Sequence, residues 1–248
     1  MISNRLSSYR HPSALFRSLA YISARIQQTV SRPHMKRRLT ANITGIIIMA
    51  LAMTMLRMAL FGNDPYSCMN LGISSLLGIS FGTWTTCMAL LLFLPVLLLE
   101  RRYIQAGSFV YLLVLGPASD IWYTLFLALF GNPQSLSMTS HILFLLFGIV
   151  IACFSISLYI CSDLGIGPYD ALPWIIEHRS HGRLQFRWGR VLCDFTCVLI
   201  GFLLGSIVSI GTLSMALFTG PLVSFFNSHL NIPLIYGKGI TSLPEQTK

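Results

Sequence analysis

Residues 141–172 read HILFLLFGIVIACFSISLYICSDLGIGPYDAL. The stretch from His141 to Cys161 contains no Asp, Glu, Lys or Arg. A bilayer core about 30 Å thick needs about 20 residues of helix, so this run is long enough to cross it. Lipid offers no partner to backbone N–H and C=O groups, which forces the segment to be helical. Similar runs lie at 41–61, 83–99, 106–130, 189–206 and 210–228. The last two are separated by only a short turn, which suits a helical hairpin. The chain has 248 residues, 54% hydrophobic and 10% charged. A soluble domain carries about 25% charged residues. The expected fold class is therefore all-α: a polytopic membrane protein with six transmembrane helices and the lipid bilayer as its main partner.

The net charge of +9 would suit nucleic acid, but the basic residues sit between apolar runs and at the ends. No nucleic-acid partner is expected. Residues 1–40 hold Arg5, Arg10, Arg17, Arg25, Arg32, Lys36, Arg37 and Arg38. Arg101 and Arg102 follow the second run, and Arg179, Arg183, Arg187 and Arg190 follow the fourth. Lys238 and Lys248 lie in the tail. With six spans all of these fall on one side, and the positive-inside rule makes that side cytoplasmic, with both termini on it. Arg57 alone lies in the interior of a run, with Arg190 at the very start of another.

Residues 1–38 form a basic N-terminal extension without an acidic residue. Leu15, Leu19, Ile22, Ile26 and Val30 repeat at helical spacing, as in an interfacial helix. The Arg- and Ser-rich composition equally fits a transit peptide, and Met35 equally fits a translation start. The extension is read as cytoplasmic and dispensable. Arg25 breaks the apolar stretch that a secretory signal would need.

Working outward from Gly167-Pro168-Tyr169 uncovers an internal repeat. Asp64-Pro65-Tyr66 stands 103 positions earlier. Phe81-Gly82 opens the second run, and Trp188-Gly189 opens the fifth. Gly107-Ser108 with Gly116-Pro117, and Gly211-Thr212 with Gly220-Pro221, mark the third and sixth at an offset of 104. The chain thus divides into a first three-helix repeat at 39–135, a second at 136–230, and a tail at 231–248. Three spans is an odd number, so the second repeat enters the bilayer from the opposite side. On this reading the Pro-Tyr turn near 65 faces outside and the one near 168 faces the cytoplasm. Inverted repeats are the usual architecture of secondary transporters.

Proline removes a backbone donor and frees a carbonyl one turn back. Gly116-Pro117 and Gly220-Pro221 are therefore read as matched breaks, each exposing a half-helix N-terminus to an anionic group. A proline kink satisfied by neighbouring helices is the simpler reading. Charges at membrane depth are costly and often functional. Arg57, Asp120 and Asp194 are such residues. Arg57 is expected to pair with Asp64 or Asp120, and Asp194 to pair with Arg190 one turn away. The segment 162–188 and the apolar Leu71, Ile73, Leu76, Leu77 and Ile79 both read as short re-entrant or interfacial helices. Candidate substrate-binding residues are Arg57, Asp120, Asp163, Gly167, Pro168, Tyr169, Asp170, Gly116, Pro117, Gly220 and Pro221. Cys193 and Cys197 lie one turn apart without further ligands, and Glu177, His178 and His181 read as a solvated loop. No metal, cofactor or catalytic residue is expected. Neither a His-Glu-x-x-His motif nor a nucleophile elbow is present, so no enzyme is expected.

Ser162-Asp163-Leu164-Gly165-Ile166-Gly167-Pro168-Tyr169-Asp170-Ala171-Leu172, together with Gly211-Thr212 and Gly220-Pro221, resembles the YczE/YitT-like integral membrane proteins of bacteria. The likeness covers roughly 39–230 and is closer in the second half. Tyr169 stands where that family usually has Trp. The resemblance implies a bacterial inner-membrane protein and supplies no activity. Two functions are carried forward. One is a secondary transporter of an unidentified small solute. The other is an accessory protein aiding assembly or secretion.

Overall fold

The computed structural model describes residues 34–237. The expectations for residues 1–33 and for most of the tail lie outside these residues. Among the described residues the secondary structure is helical throughout. The helices are α1 (Met35–Ala59), α2 (Pro65–Leu77), α3 (Phe81–Leu99), α4 (Ala106–Phe130), α5 (Met138–Cys161), α6 (Pro168–Arg179), α7 (Phe186–Leu203) and α8 (Ile210–Phe226). A π-turn at Asn227–Asn231 then leads into α9 (Ile232–Tyr236).

Five segments are long and apolar enough to cross a membrane: α1, α3, α4, α5 and the segment from Ile210 to Tyr236. The protein is a polytopic all-α membrane protein. Its polarity is that of a lipid-solvated fold. Leu76, Leu113, Ile121, Leu129, Leu203 and Leu217 are exposed, while Asn42, Thr54, Asn70, Ser119, Ser155 and Ser157 are fully buried. At the centre, α1 packs on α5 and α4, and α5 packs on α8. Around them α2 lies on α7, and α6 lies on α7 and α3.

The expected fifth span differs from the other five. Helix α7 carries Arg187, Arg190 and Asp194, which keeps it out of the uniformly apolar set. Its Phe195, Leu199 and Phe202 point outward, whereas Gly189, Cys197 and Gly201 face the protein. The prolines also behave differently from expectation. Helices α4 and α8 run continuously through Pro117 and Pro221. Neither span is broken, so neither Gly-Pro pair presents a half-helix N-terminus.

The two short helices supply that feature instead. With 13 and 12 residues and about 1.5 Å of rise per residue, α2 and α6 reach only part-way across a bilayer. Asp64 caps α2 by accepting from Ser67 N at 3.0 Å, and Pro65 takes the first helical position, where a missing N–H costs nothing. Pro168 holds the same position in α6.

The landmarks 103 or 104 apart make reciprocal contacts. Gly45 backs onto Tyr159 of α5, and Gly148 backs onto Leu56 of α1. Because the earlier residue of α1 meets the later one of α5, these two helices are antiparallel. Gly107 N donates to Leu164 O at 2.7 Å, and Gly211 N donates to Phe61 O at 2.8 Å. The fourth helix of each half thus grips the loop that precedes the short helix of the other. Those loops share a strained geometry: Leu60 and Asp163 have φ of 54° and 48°, and Gly62 and Gly165 have φ of 89° and 101°. A Cβ on Gly62 would lie 2.5 Å from Thr212 Oγ1, and one on Gly165 would lie 2.6 Å from Ser108 Oγ.

Candidate functional site

The first turns of α2 and α6 meet inside the protein. Tyr66 and Tyr169 stack with ring centroids 4.5 Å apart and planes 24° apart. Both rings are buried, against Met69 and Cys197. The Pro-Tyr turns were expected to face opposite sides of the bilayer; both are buried within the protein. The directions of the two helices follow from α7. Tyr169 bonds Asp194 while Pro173 lies beside Gly189, so α6 runs antiparallel to α7. Cys68 meets Gly201 and Gly72 meets Leu204, so α2 runs parallel to it. The two helices therefore leave the meeting point in opposite directions.

The tips carry charge. Tyr169 OH donates to Asp194 Oδ1 at 2.5 Å. Arg190 bridges Asp170 at 2.8 Å and Asp194 at 3.2 Å, with its guanidinium 5.1 Å over the Tyr169 ring. Asp194 thus has the Arg190 partner expected from the sequence. Asp64 has no Lys or Arg within ion-pair distance among the described residues. Two carboxylates share one guanidinium, with Asp64 unpaired by Lys or Arg at the other tip, and the two helix N-termini, each worth about half a positive charge, offset part of the excess. Tyr111 and Tyr159 pack nearby, 5.6 Å apart. A Cβ on Gly167 would press on the Tyr111 ring at 3.0 Å.

The two faces flanking the tips differ. On the 60–64 side lie two adjoining clefts of about 260 and 400 Å³. The first reaches Gly62 and Asn63 and the second reaches Asp120, and both are lined by Arg57, Leu71, Ser75 and Tyr123. Arg57 does not pair with Asp64 or Asp120. Its guanidinium lies 3.6 Å over the Tyr123 ring and 4.8 Å from that of Phe81. Asp120 instead fixes the start of α3, accepting from Ser80 Oγ at 2.5 Å and Gly82 N at 2.8 Å. On the 162–167 side Arg38 plugs the end of α5. It donates to Ser162 O at 2.8 Å and Asp163 O at 2.7 Å, and pairs with Asp163 Oδ2 at 2.6 Å. Arg38 was assigned to a dispensable extension. It belongs to α1, which starts at Met35, and it is 3% exposed. Val96, Leu97, Ile104, Ala171 and Ile175 fill the rest of that face. Ile232 and Ile235, at the start of what was read as a tail, pack on Ala41 and Leu158.

Of the other proposed site residues, Gly116 packs α4 against α3, where a Cβ would overlap Thr86 Oγ1 and the Gly82 carbonyl. Gly220 faces open space. Gly116 and Gly220 thus make no close contact with the tips, while Gly167, Pro168, Tyr169 and Asp170 form one of them. His178 pairs with Glu100 at 3.1 Å. No group of three His, Cys, Asp or Glu side chains is arranged for a metal among the described residues. Sequence reasoning missed Arg38, Asn63, Tyr66 and Arg190 as site residues. Extending the 103-residue comparison to Gly62 with Gly165 would have drawn attention to the loops that hold the tips.

The match to a family model covers residues 36–228, and that family, DUF6198, is described as one of unknown function. The chain belongs to the DUF6198 family. It is 22% identical over 189 residues to the uncharacterized membrane protein YczE of Bacillus subtilis, covering 76% of this chain and 84% of that one. An uncharacterized protein of Haemophilus influenzae is 30% identical over 169 residues, 66% of this chain and 72% of its own length. The uncharacterized protein YyaS of Bacillus subtilis is 22% identical over 183 residues, 73% of this chain and 88% of its own length. These relatives agree with the YczE-like resemblance read from the 162–172 loop. No solved structure matches the chain.

Proposed function

We propose that this DUF6198 protein is a secondary transporter of a small solute, built from two inverted repeats, and not an enzyme. The observation that carries the reading is the tip-to-tip meeting of α2 and α6 at Tyr66 and Tyr169. Transporters of inverted-repeat architecture bind substrate at mid-depth, where discontinuous helices from the two repeats meet. Reciprocal contacts, in which i meets j and their counterparts meet in reverse, are the mark of a two-fold axis. Since α1 and α5 are antiparallel, that axis crosses the helices, as inversion requires. Helix α7 then serves as the sixth span, its polar stripe of Arg190 and Asp194 turned inward and its aromatic stripe turned to lipid. The distribution of Lys and Arg supports a reading in which the Arg38 face and both termini are cytoplasmic and the membrane is a bacterial inner membrane.

Alternating access gives the unequal faces a purpose. The 60–64 side is open to the clefts, and the 162–167 side is sealed by Arg38 and Asp163. An accessory role in assembly requires no such asymmetry. The test is a solute-uptake screen in proteoliposomes, with Asp170→Asn as the control. The proposal expects saturable uptake of at least one solute, cut about tenfold or more by loss of the Asp170–Arg190 pair. Uptake of no solute above protein-free liposomes, or uptake indifferent to Asp170→Asn, contradicts it.

A further inference from the structure

The clefts on the 60–64 side present one cation and one anion to the same space. Arg57 lines both clefts. Its Nη1 is buried without a hydrogen-bond partner, and among the described residues no carboxylate lies within ion-pair distance of it. A guanidinium carries five donors in a planar fork suited to a two-oxygen anion. Its two ring contacts hold that plane in place. Asp120 lines the second cleft beside Ser80 and Thr124. Each of its oxygens accepts one hydrogen bond, leaving lone pairs for another donor. Asn63 adds a buried Oδ1 without a partner at the inner end of the first cleft. The two charges line the same cleft without pairing with one another.

We infer that the Arg57 cleft binds a small zwitterion, its anionic group on Arg57 and its ammonium group at Asp120. This deepens the transporter reading, on which it rests, by giving the substrate a chemical class. A lone anion would lie beside Asp120 unshielded, and a lone cation beside Arg57. A zwitterion satisfies both charges at once. Free amino acids and the phosphoethanolamine headgroup of a lipid share this chemistry, and the cleft opens at the end of α1 where either has access.

The experiment uses the full chain purified in detergent and titrated with L-alanine, propionate, ethylamine and phosphoethanolamine, reading thermal unfolding and equilibrium binding. Alanine or phosphoethanolamine is expected to bind about tenfold or more tightly than propionate or ethylamine, each of which lacks one pole. Preference for alanine assigns a free solute, and preference for phosphoethanolamine assigns a headgroup. Arg57→Gln is expected to abolish the preference. Ser75→Trp, at an exposed position lining both clefts, fills the space without touching either charge and is expected to do the same. Asp120→Asn is expected to make alanine and propionate equal. Equal binding of all four probes to the unaltered protein, binding of none, or retained preference in Ser75→Trp overturns the inference. If none binds while uptake of another solute persists, the transporter reading stands and the zwitterion assignment falls.

Discussion

The loops at 60–64 and 162–167 have the same backbone and opposite surroundings. In each, a left-handed residue and a left-handed glycine turn the chain inward toward a proline-started helix. Each accepts a hydrogen bond from the first turn of the other half's last long helix. Yet Asn63 opens onto a cleft where its counterpart Ile166 is packed against an apolar core. Near Leu60 runs a cavity lined by Arg57, whereas at the matching Asp163 a salt bridge closes the space. Backbone symmetry with side-chain asymmetry leaves one loop open to a cleft and the other closed by a salt bridge. The repeated glycines fix where the loops go, and the unrepeated charges fix which loop is shut.

The largest effect should come from the shut side. Arg38 and Asp163 are both buried, so Arg38→Ala breaks a buried ion pair by removing its guanidinium, at a cost of about 3–5 kcal/mol. The double variant Arg38→Met/Asp163→Leu should lose less than Arg38→Ala, as measured by unfolding in detergent. Equal losses would mean the pair does not close that face.

Next come the shared glycines. Gly62→Ala and Gly165→Ala each force a Cβ onto a hydroxyl at positive φ, costing about 1–3 kcal/mol. Thr212→Ala should relieve the first, and Ser108→Ala the second. Relief at one site and not the other would break the symmetry of the loops.

At the tips, Tyr169→Phe removes a hydrogen bond to the Asp194 carboxylate, worth about 1.5–3 kcal/mol. Loss of the stacked ring in Tyr66→Leu should cost about 0.5–1.5 kcal/mol beyond area burial. Smallest of all is Gly220→Ala, which meets open space and should be neutral or stabilising by up to about 1 kcal/mol. Its counterpart Gly116→Ala should be strongly destabilising in the same assay.

Much of this was legible in the sequence because bilayer physics is demanding. Five of the six apolar runs became long helices, and the offset of the Pro-Tyr turns marked two equivalent helix starts. What misled was depth. A Gly-Pro pair inside an apolar run looks like a break, yet α4 and α8 absorb their prolines. A Pro-Tyr turn between runs looks like a surface loop, yet it folds inward. Periodicity reports which face of a helix is apolar and not how far its end lies from the bilayer surface. The Arg57 expectation failed for a related reason. Proximity in sequence suggested Asp64, but that carboxylate caps its own helix and Arg57 turned to Tyr123. Arg38 looked like one more basic residue of a solvated extension. Its burial depends on the Asp163 loop, 125 positions away.

Helices α2 and α6 are expected to run from one meeting point toward opposite faces of the bilayer. In a cysteine-free background, Ser75→Cys near the end of α2 and Arg183→Cys just beyond α6 report the two faces. Both positions are exposed. Sealed membrane vesicles of known orientation are treated with an impermeant thiol reagent before and after permeabilisation. The account predicts that one cysteine labels in sealed vesicles and the other only after permeabilisation. Labelling of both from the same side would contradict it.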